Sequence, residues 1–471
     1  MRPLRLLALT TLAAAVLAPA GHAGTFTKSN AVAVMDDGTR IGTTLYVPSG
    51  EAPTAGWPGV ILIHGLGGSR QDTNQIAESF FAPFGYAVLT YDLRGHGESG
   101  GLVTFAGARE IADLRALEQQ FAARPEVNDL EIGAWGISYG AAQAWLAAAQ
   151  GVPFKAIAVW QTWSDLFTSL YPNGVAKSGV IAGLLNEIPT GKLLPSLSWL
   201  RTPALSGQSP DQLLTFAGQR SVLPVAGGVT TPTIILQGRR DFVFSNEQAI
   251  TAFQRLKGPK LLYFGDHGHD PSTFPAPDTT YAMTLSRAWL DHFVKGDDNG
   301  VDQDPRVQIA PDPWTGKPAG FPALPPTRTL SFALLGGPKR VSWSGKVVRA
   351  AGKTTMKIED FGSPVVVVRA TTSTGWDHLV AVLTATTPTG EQIVVSAGAI
   401  PTRPGTRTYT IPLFSQITAI PVGSRLEVTF GSSTAGTAAG PLYLASPPTG
   451  SPTLTVANGV VRLAAMIRPV S

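Results

Sequence analysis

The sequence predicts an α/β protein, a parallel β-sheet wrapped by helices and interrupted by a small helical cap, followed by an all-β sandwich. Three observations carry this. Short continuous apolar runs alternate with stretches of helical spacing up to about residue 296, that rhythm breaks between about residues 161 and 229, and beyond about residue 327 helical spacing vanishes. A chain of 471 residues exceeds one ordinary core and implies two or three domains. Charged residues make up 14% of it and apolar ones 44%, which is globular, and the high Gly and Pro content (51 and 38) favours turns and β structure.

The first stretch, "MRPLRLLALTTLAAAVLAPAGHAG", sets Arg2 and Arg5 before an apolar run from Leu6 to Leu17 and small residues at Gly21 and Ala23. This is the layout of an export signal over residues 1–23, cleaved after Ala23, and it places the mature protein outside the cytoplasm. The run is shorter than the roughly 20 residues that a membrane anchor requires. Next, "AVAVMDDGTRIGTTLYVP" alternates around Asp37-Gly38 as a hairpin does. "PGVILIHGLGGS" and "GYAVLTYDLRGHGESGG" each carry a strand buried on both faces. "EIADLRALEQQFAAR" has helical spacing, and Leu130 to Trp135 is another buried strand. After a strand at 155–160, amphipathic pieces such as "KSGVIAGLLNEI" and "SPDQLLTFAGQR" predict the cap over about 161–229. The α/β rhythm returns at "PTIILQGRRDFV", "KLLYFGDHGHD" and the closing helix "YAMTLSRAWLDHFVKG". The chain thus divides into a leader (1–23), a sheet-and-helix unit (24–300), a linker lying over the surface (301–327) and a β-sandwich (328–471) whose runs include "SPVVVVRATT" and "SRLEVTFGSS".

The chemistry concentrates at "LEIGAWGISYGAAQAW". Gly136 and Gly140 flank Ser138 at a strand-to-helix turn, and glycines there let the chain lift the hydroxyl above the sheet. A serine hydroxyl is a poor nucleophile until a base takes its proton and a third group orients that base. In such elbows the acid and the histidine follow in chain order, each on a loop after a strand. Of seven histidines, His22 leaves with the leader and His64 and His96 precede the serine; His292 lies in the closing helix and His378 in the β-domain. His267 and His269 remain, on a Gly-punctuated loop, and His269 is preferred, with a solvated loop residue as the alternative for each. Asp241 ends the preceding strand and is the expected acid. Oxyanion donors are expected at the backbone N–H groups of Tyr139 and of Leu66 in "HGLGG", with His64 bracing that loop. "YDLRGHGES" reads as a structural loop with Asp92, Arg94 and His96 pairing internally. Trp160 and Trp163 are candidates for lining an acyl pocket, although tryptophan is more often core.

With these residues in hand, the chain resembles the α/β-hydrolases, and more narrowly the X-prolyl dipeptidyl-peptidase and cocaine-esterase (CocE/NonD) family. The resemblance rests on Gly136-Ile137-Ser138-Tyr139-Gly140, Asp241, the late histidine loop, the cap segment "WSDLFTSLYPNGVAKSG" and the C-terminal "DHLVAVLTATTPTGEQIVVSAG", which is similar to the family's jelly-roll domain. It implies an α/β-hydrolase fold with a helical cap and a C-terminal jelly-roll-like sandwich. Cocaine-esterase relatives set a tyrosine hydroxyl in the oxyanion hole where this chain has "HGLGG", so a backbone donor is implied here. X-prolyl peptidases carry an acid for the substrate amine, and neither Asp165 nor Glu187 in this cap is assigned that role by sequence.

The expected function is therefore a secreted serine hydrolase that cleaves carboxylic esters, and amides by extension, through an acyl-enzyme. The alternatives are an X-prolyl dipeptidyl aminopeptidase and an extracellular binding protein with a degenerate hydrolase domain. Its partner would be a small or polymeric ester or peptide substrate. No cofactor or metal is expected, since the chain has no His-Glu-x-x-His motif and no Walker-type loop, and Cys 0 removes disulfides and thiolate sites. The net charge of +4 falls to +2 once Arg2 and Arg5 leave, and scattered basic residues give no nucleic-acid footprint.

Overall fold

A computed structural model describes residues 24–206, 210–269, 272, 274–445, 448 and 450–467. The export signal expected over residues 1–23 lies outside the described residues. Strands β1 (Phe26–Val34) and β2 (Arg40–Pro48) pair antiparallel from Phe26 opposite Pro48 to Val34 opposite Arg40. Gly38 takes φ +78° in their turn, a conformation that glycine adopts without steric cost. There follow β3 (Trp57–Ile63), α1 (Arg70–Ile76), β4 (Ala87–Tyr91), α2 (Ala108–Ala122), β5 (Val127–Ile137), α3 (Tyr139–Ala149) and β6 (Ile157–Trp160). The cap contains α4 (Leu166–Leu170), α5 (Ser178–Glu187), α6 (Arg201–Ser206) and α7 (Pro210–Gly218). The sheet resumes with β7 (Thr233–Gly238), α8 (Asn246–Arg255), β8 (Lys260–Gly265), α9 (Ala276–Leu290), β9 (Val307–Ile309) and β10 (Ala319–Phe321).

These ten strands form one sheet in the order β1-β2-β4-β3-β5-β6-β7-β8-β9-β10, parallel from β4 through β9. The apolar run of β3 shows why its centre is covered on both sides. Val60 and Leu62 join the core containing Trp135 and Trp160, whereas Ile61 and Ile63 join the opposite core with Ala134 and Val159. Full burial of such a side chain contributes roughly 1.5–3 kcal/mol, enough to favour a central over an edge position.

The expected surface linker is corrected in one respect. Its middle supplies β9, fully buried and parallel to β8, and β10, antiparallel to β9. Three-residue strands are too short to reveal a period in sequence, so their placement is decided by the open sheet edge beside β8.

The remaining strands are β11 (Thr327–Leu334), β12 (Lys339–Ser342), β13 (Val347–Lys353), β14 (Ile358–Gly362), β15 (Val365–Thr372), β16 (His378–Thr386), β17 (Gln392–Pro401), β18 (Gly405–Pro412), β19 (Gln416–Ile420), β20 (Arg425–Gly431) and β21 (Thr453–Met466). They form two antiparallel sheets, β18-β15-β21-β14-β19 with β11 and β12 also on β21, and β13-β20-β16-β17. Val366 and Val461 of the first sheet meet Leu383 and Val428 of the second in a shared core. The second sheet is not free on its other face. Val380 and Val382 of β16, with Ala397 and Ala399 of β17, pack into the core of the α/β unit. "LVAVL" is accordingly a continuous apolar run, because both of its faces are dry.

Candidate active site

Ser138 sits between β5 and α3 with φ +54° and ψ −117°, a strained conformation worth of order 1–3 kcal/mol. Its N–H donates to the Trp160 carbonyl at 2.8 Å and its carbonyl accepts from Ala142 N–H at 3.1 Å, so both neighbouring elements hold the turn. Both flanking glycines are sterically required. A Cβ on Gly136 would come within 2.6 Å of the Gly140 carbonyl oxygen, and one on Gly140 within 2.4 Å of the Ile63 oxygen.

Asp241 lies on the loop after β7 and His269 on the loop after β8. The imidazole Nδ1 lies 2.7 Å from Asp241 Oδ2, and its Nε2 lies 3.0 Å from Ser138 Oγ. With the proton on Nδ1 directed at Asp241, Nε2 is left to accept from the serine hydroxyl. Asp241 is fully buried, and its other oxygen accepts from the N–H groups of Val243 and Phe244 at 2.9 and 3.0 Å. Burial pushes this carboxyl up, but the His269 charge and these hydrogen bonds outweigh it and hold the group below the usual carboxylate range. The two loops approach closely because Gly238 has no side chain: a Cβ there would lie 2.0 Å from the His267 oxygen.

His267, the other candidate base, turns away. It is buried, stacked on Trp160 at 5.0 Å and on Phe274 at 6.0 Å, and its Nδ1 meets Gln161 Nε2 at 3.0 Å. Burial lowers its pKa and favours a neutral structural ring. Trp160 therefore belongs to the layer around His267, with its indole N–H bonded to Ser286 Oγ at 3.1 Å. Trp163 is on the nucleophile side, 6.3 Å from the Tyr139 ring and 5.2 Å from Phe244, which meets the His269 ring edge-on at 5.2 Å.

Leu66 is buried on the loop after β3, which rests on the start of α3 through the contact at Gly140 and lies under Glu187 of the cap at Gly67. His64 braces this loop, meeting the Gly65 oxygen at 2.7 Å through Nδ1 and accepting from Leu93 N–H at 3.0 Å through Nε2. Burial pushes its pKa down to about 3, so it stays neutral. The Tyr139 hydroxyl donates to Glu110 Oε2 at 2.6 Å, which anchors the first residue of α3.

The sandwich reaches the same site. Gln416 Nε2 donates to the Asp241 carbonyl at 2.9 Å, Ile417 N–H donates to the Arg239 carbonyl at 2.8 Å, and Arg239 pairs with Glu359 at 2.9 Å. Lys177 of the cap, wholly buried, donates to the carbonyls of Ser169 and Val243 at 3.0 and 2.6 Å and lies 4.7 Å from the Phe414 ring centre. Burial pushes its pKa down to about 8, with Glu247 and Asp241 opposing.

One expectation is overturned. Asp92 and Arg94 do not pair with each other: Asp92 pairs with Arg70, and Arg94 with Asp113 and Asp37 at 2.6 and 2.8 Å. Within the loop, Asp92 Oδ2 accepts from Glu98 N–H at 2.9 Å and His96 Nδ1 meets the Arg94 oxygen at 3.1 Å. A buried charge is satisfied by whichever partner the fold brings, and three elements converge here. Nothing local in the sequence marks Glu110, Lys177 or Gln416 as parts of this site. Glu110 resembles any acid in a first helical turn.

Comparison with known proteins agrees with this architecture. The family model for the X-Pro dipeptidyl-peptidase (S15 family) matches residues 37–270. Cocaine esterase of Rhodococcus sp. (strain MB1 Bresler) is 26% identical over 343 residues, 60% of this chain and 57% of its own. A putative Xaa-Pro dipeptidyl-peptidase of Streptomyces avermitilis is 23% identical over 278 residues, 50% of this chain and 38% of its own. This chain spans about half the length of the curated relatives it matches. A CocE/NonD family hydrolase from Staphylococcus aureus shares the fold with a TM-score of 0.72 over 94% of each chain at 15% identity. Residues 37–270 of this chain thus match the X-Pro dipeptidyl-peptidase (S15) family, and the chain is a homologue of cocaine esterase.

Proposed function

We propose that the protein is an exported serine hydrolase that cleaves carboxylic esters through an acyl-enzyme. The observation that carries this is the single imidazole of His269 within hydrogen-bonding reach of both Ser138 Oγ and Asp241 Oδ2. Ser138 Oγ attacks the ester carbonyl carbon while His269 Nε2 takes its proton. The backbone N–H groups of Tyr139 and Leu66 receive the developing oxyanion, and Asp241 stabilises the imidazolium. Collapse expels the alcohol, which carries off the proton from His269. Water, deprotonated by the same nitrogen, then releases the acid and restores the serine.

The family match favours a second reading, hydrolysis after an X-Pro dipeptide. Purified protein and its Ser138→Ala variant would be assayed on p-nitrophenyl acetate and butyrate and on Gly-Pro p-nitroanilide. Ester turnover that falls about a millionfold in the variant is the expected result. Strong anilide turnover with weak ester turnover would establish the second reading instead, and turnover of neither would overturn both.

A further inference from the structure

The cap walls an apolar pocket of about 70 Å³ that is partly open to the surface. Among the described residues its lining carries no charge: Phe105, Leu166, Leu184, Leu213, Phe216 and Ala217 are part of an otherwise apolar wall in which Tyr171 has the one polar side chain. Water gains few hydrogen bonds from a pocket walled by hydrocarbon, so such a pocket favours an occupant of like chemistry.

A second observation ties this cavity to the nucleophile. Phe105 and Ala106 are consecutive non-glycine residues with φ +59° and +55°. The strain is held from two sides. Glu110 accepts from Thr104 and Ala106 N–H at 2.6 and 2.8 Å, and Arg220, stacked 3.6 Å over Phe216, donates to the Phe105 and Thr104 carbonyls at 2.8 and 3.0 Å. Strain that the surroundings enforce this fully marks a place where a side chain must be aimed. Here it sets the Phe105 ring against Phe216 at 6.2 Å on the cavity side and against Tyr139, the neighbour of Ser138, at 5.9 Å.

We propose, resting on the ester-hydrolase reading above, that the cap cavity binds the uncharged hydrocarbon acyl chain of the substrate and that Phe105 is the partition between this cavity and the nucleophile. Each methylene moved from water into the cavity is worth about fourfold in affinity until the space is filled. A substrate with a free ammonium at this position finds no counter-charge in the lining.

The experiment has a catalytic and a binding arm. On p-nitrophenyl acetate through decanoate, the ratio of kcat/KM for octanoate to acetate should fall at least tenfold in Ala217→Phe, which fills the cavity, and rise severalfold in Phe105→Ala, which opens the partition. In the Ser138→Ala background, calorimetric titration with 1-octanol should show saturable binding that weakens at least tenfold when Ala217→Phe is added. Leu184→Phe, from another wall, replaces Ala217→Phe if that variant does not fold. An octanoate-to-acetate ratio and octanol binding that both ignore the filled cavity would overturn the proposal and mark the space as a packing feature of the cap. Octanol binding that responds to Ala217→Phe in a protein that hydrolyses no ester would uphold the hydrocarbon site while overturning the ester-hydrolase reading.

Discussion

The loop carrying Asp241 and strand β14 each bury one aspartate completely, on adjoining parts of two domains, yet the two carboxyls end in opposite charge states. Asp241 has the His269 ring, three backbone N–H groups and a lowered pKa. Asp360 accepts from Ala464 N–H at 2.8 Å through one oxygen, while its other oxygen is without a hydrogen-bond partner, and burial pushes its pKa up to about 8. Burial is common to both, so burial does not make a carboxylate chemically useful. The number and direction of its donors do. Only the loop in the α/β unit provides a fixed negative charge behind an imidazole.

The largest effect should come from removing what distinguishes the first site. Asp241→Asn should lower kcat about 10⁴-fold on any substrate the protein turns over, because an amide favours the wrong imidazole tautomer. Asp360→Asn should leave kcat within about twofold, since it lies outside the set of groups around Ser138; a comparable loss in both variants, measured side by side, would erase the distinction.

Stability should separate the same pair in the other direction. The folded chain keeps a proton on Asp360 that the unfolded chain releases near pH 4, so Asp360 contributes stability that is complete below pH 4 and lost as pH rises toward 8. The loss amounts to at most about 1.4 kcal/mol per pH unit. Asp360→Asn should therefore raise Tm by several degrees at pH 8–9 and by much less at pH 5. Thermal melts across that range test this, and a pH-independent change in Tm would contradict it.

A smaller effect should expose the contact between the two regions. Gln416 donates to the backbone of Asp241 from the sandwich, and losing one such buried bond is worth about 1 kcal/mol. Gln416→Ala should lower kcat about fivefold with KM little changed, whereas a fall in Tm with kcat intact would assign Gln416 to domain packing alone.

What the sequence discloses follows the same division. Ser138 is legible because Gly136 and Gly140 are needed for its turn, and the segments with Asp241 and His269 are legible because each follows an apolar strand in a fixed chain order. His267 and His269 are not separable by pattern, since one residue lies between them and only three-dimensional contacts tell them apart: His269 meets Asp241 and Ser138, whereas His267 stacks on Trp160. The partners of Arg94, the bond from Gln416 and the placing of Lys177 over Phe414 join residues from 19 to well over a hundred positions apart. No local pattern records such meetings. The strained pair at Phe105 and Ala106 is equally silent, because neither residue type announces a positive φ.

The central claim is that Ser138 is an activated nucleophile, and covalent labelling tests it most directly. The protein would be treated with a fluorophosphonate and the adduct located by peptide mass spectrometry, with His269→Ala and Ser138→Ala in parallel. The account predicts one stoichiometric adduct on the peptide containing Ser138, formed orders of magnitude more slowly in His269→Ala and absent in Ser138→Ala. An unlabelled wild-type protein, or an adduct on another residue, would contradict it.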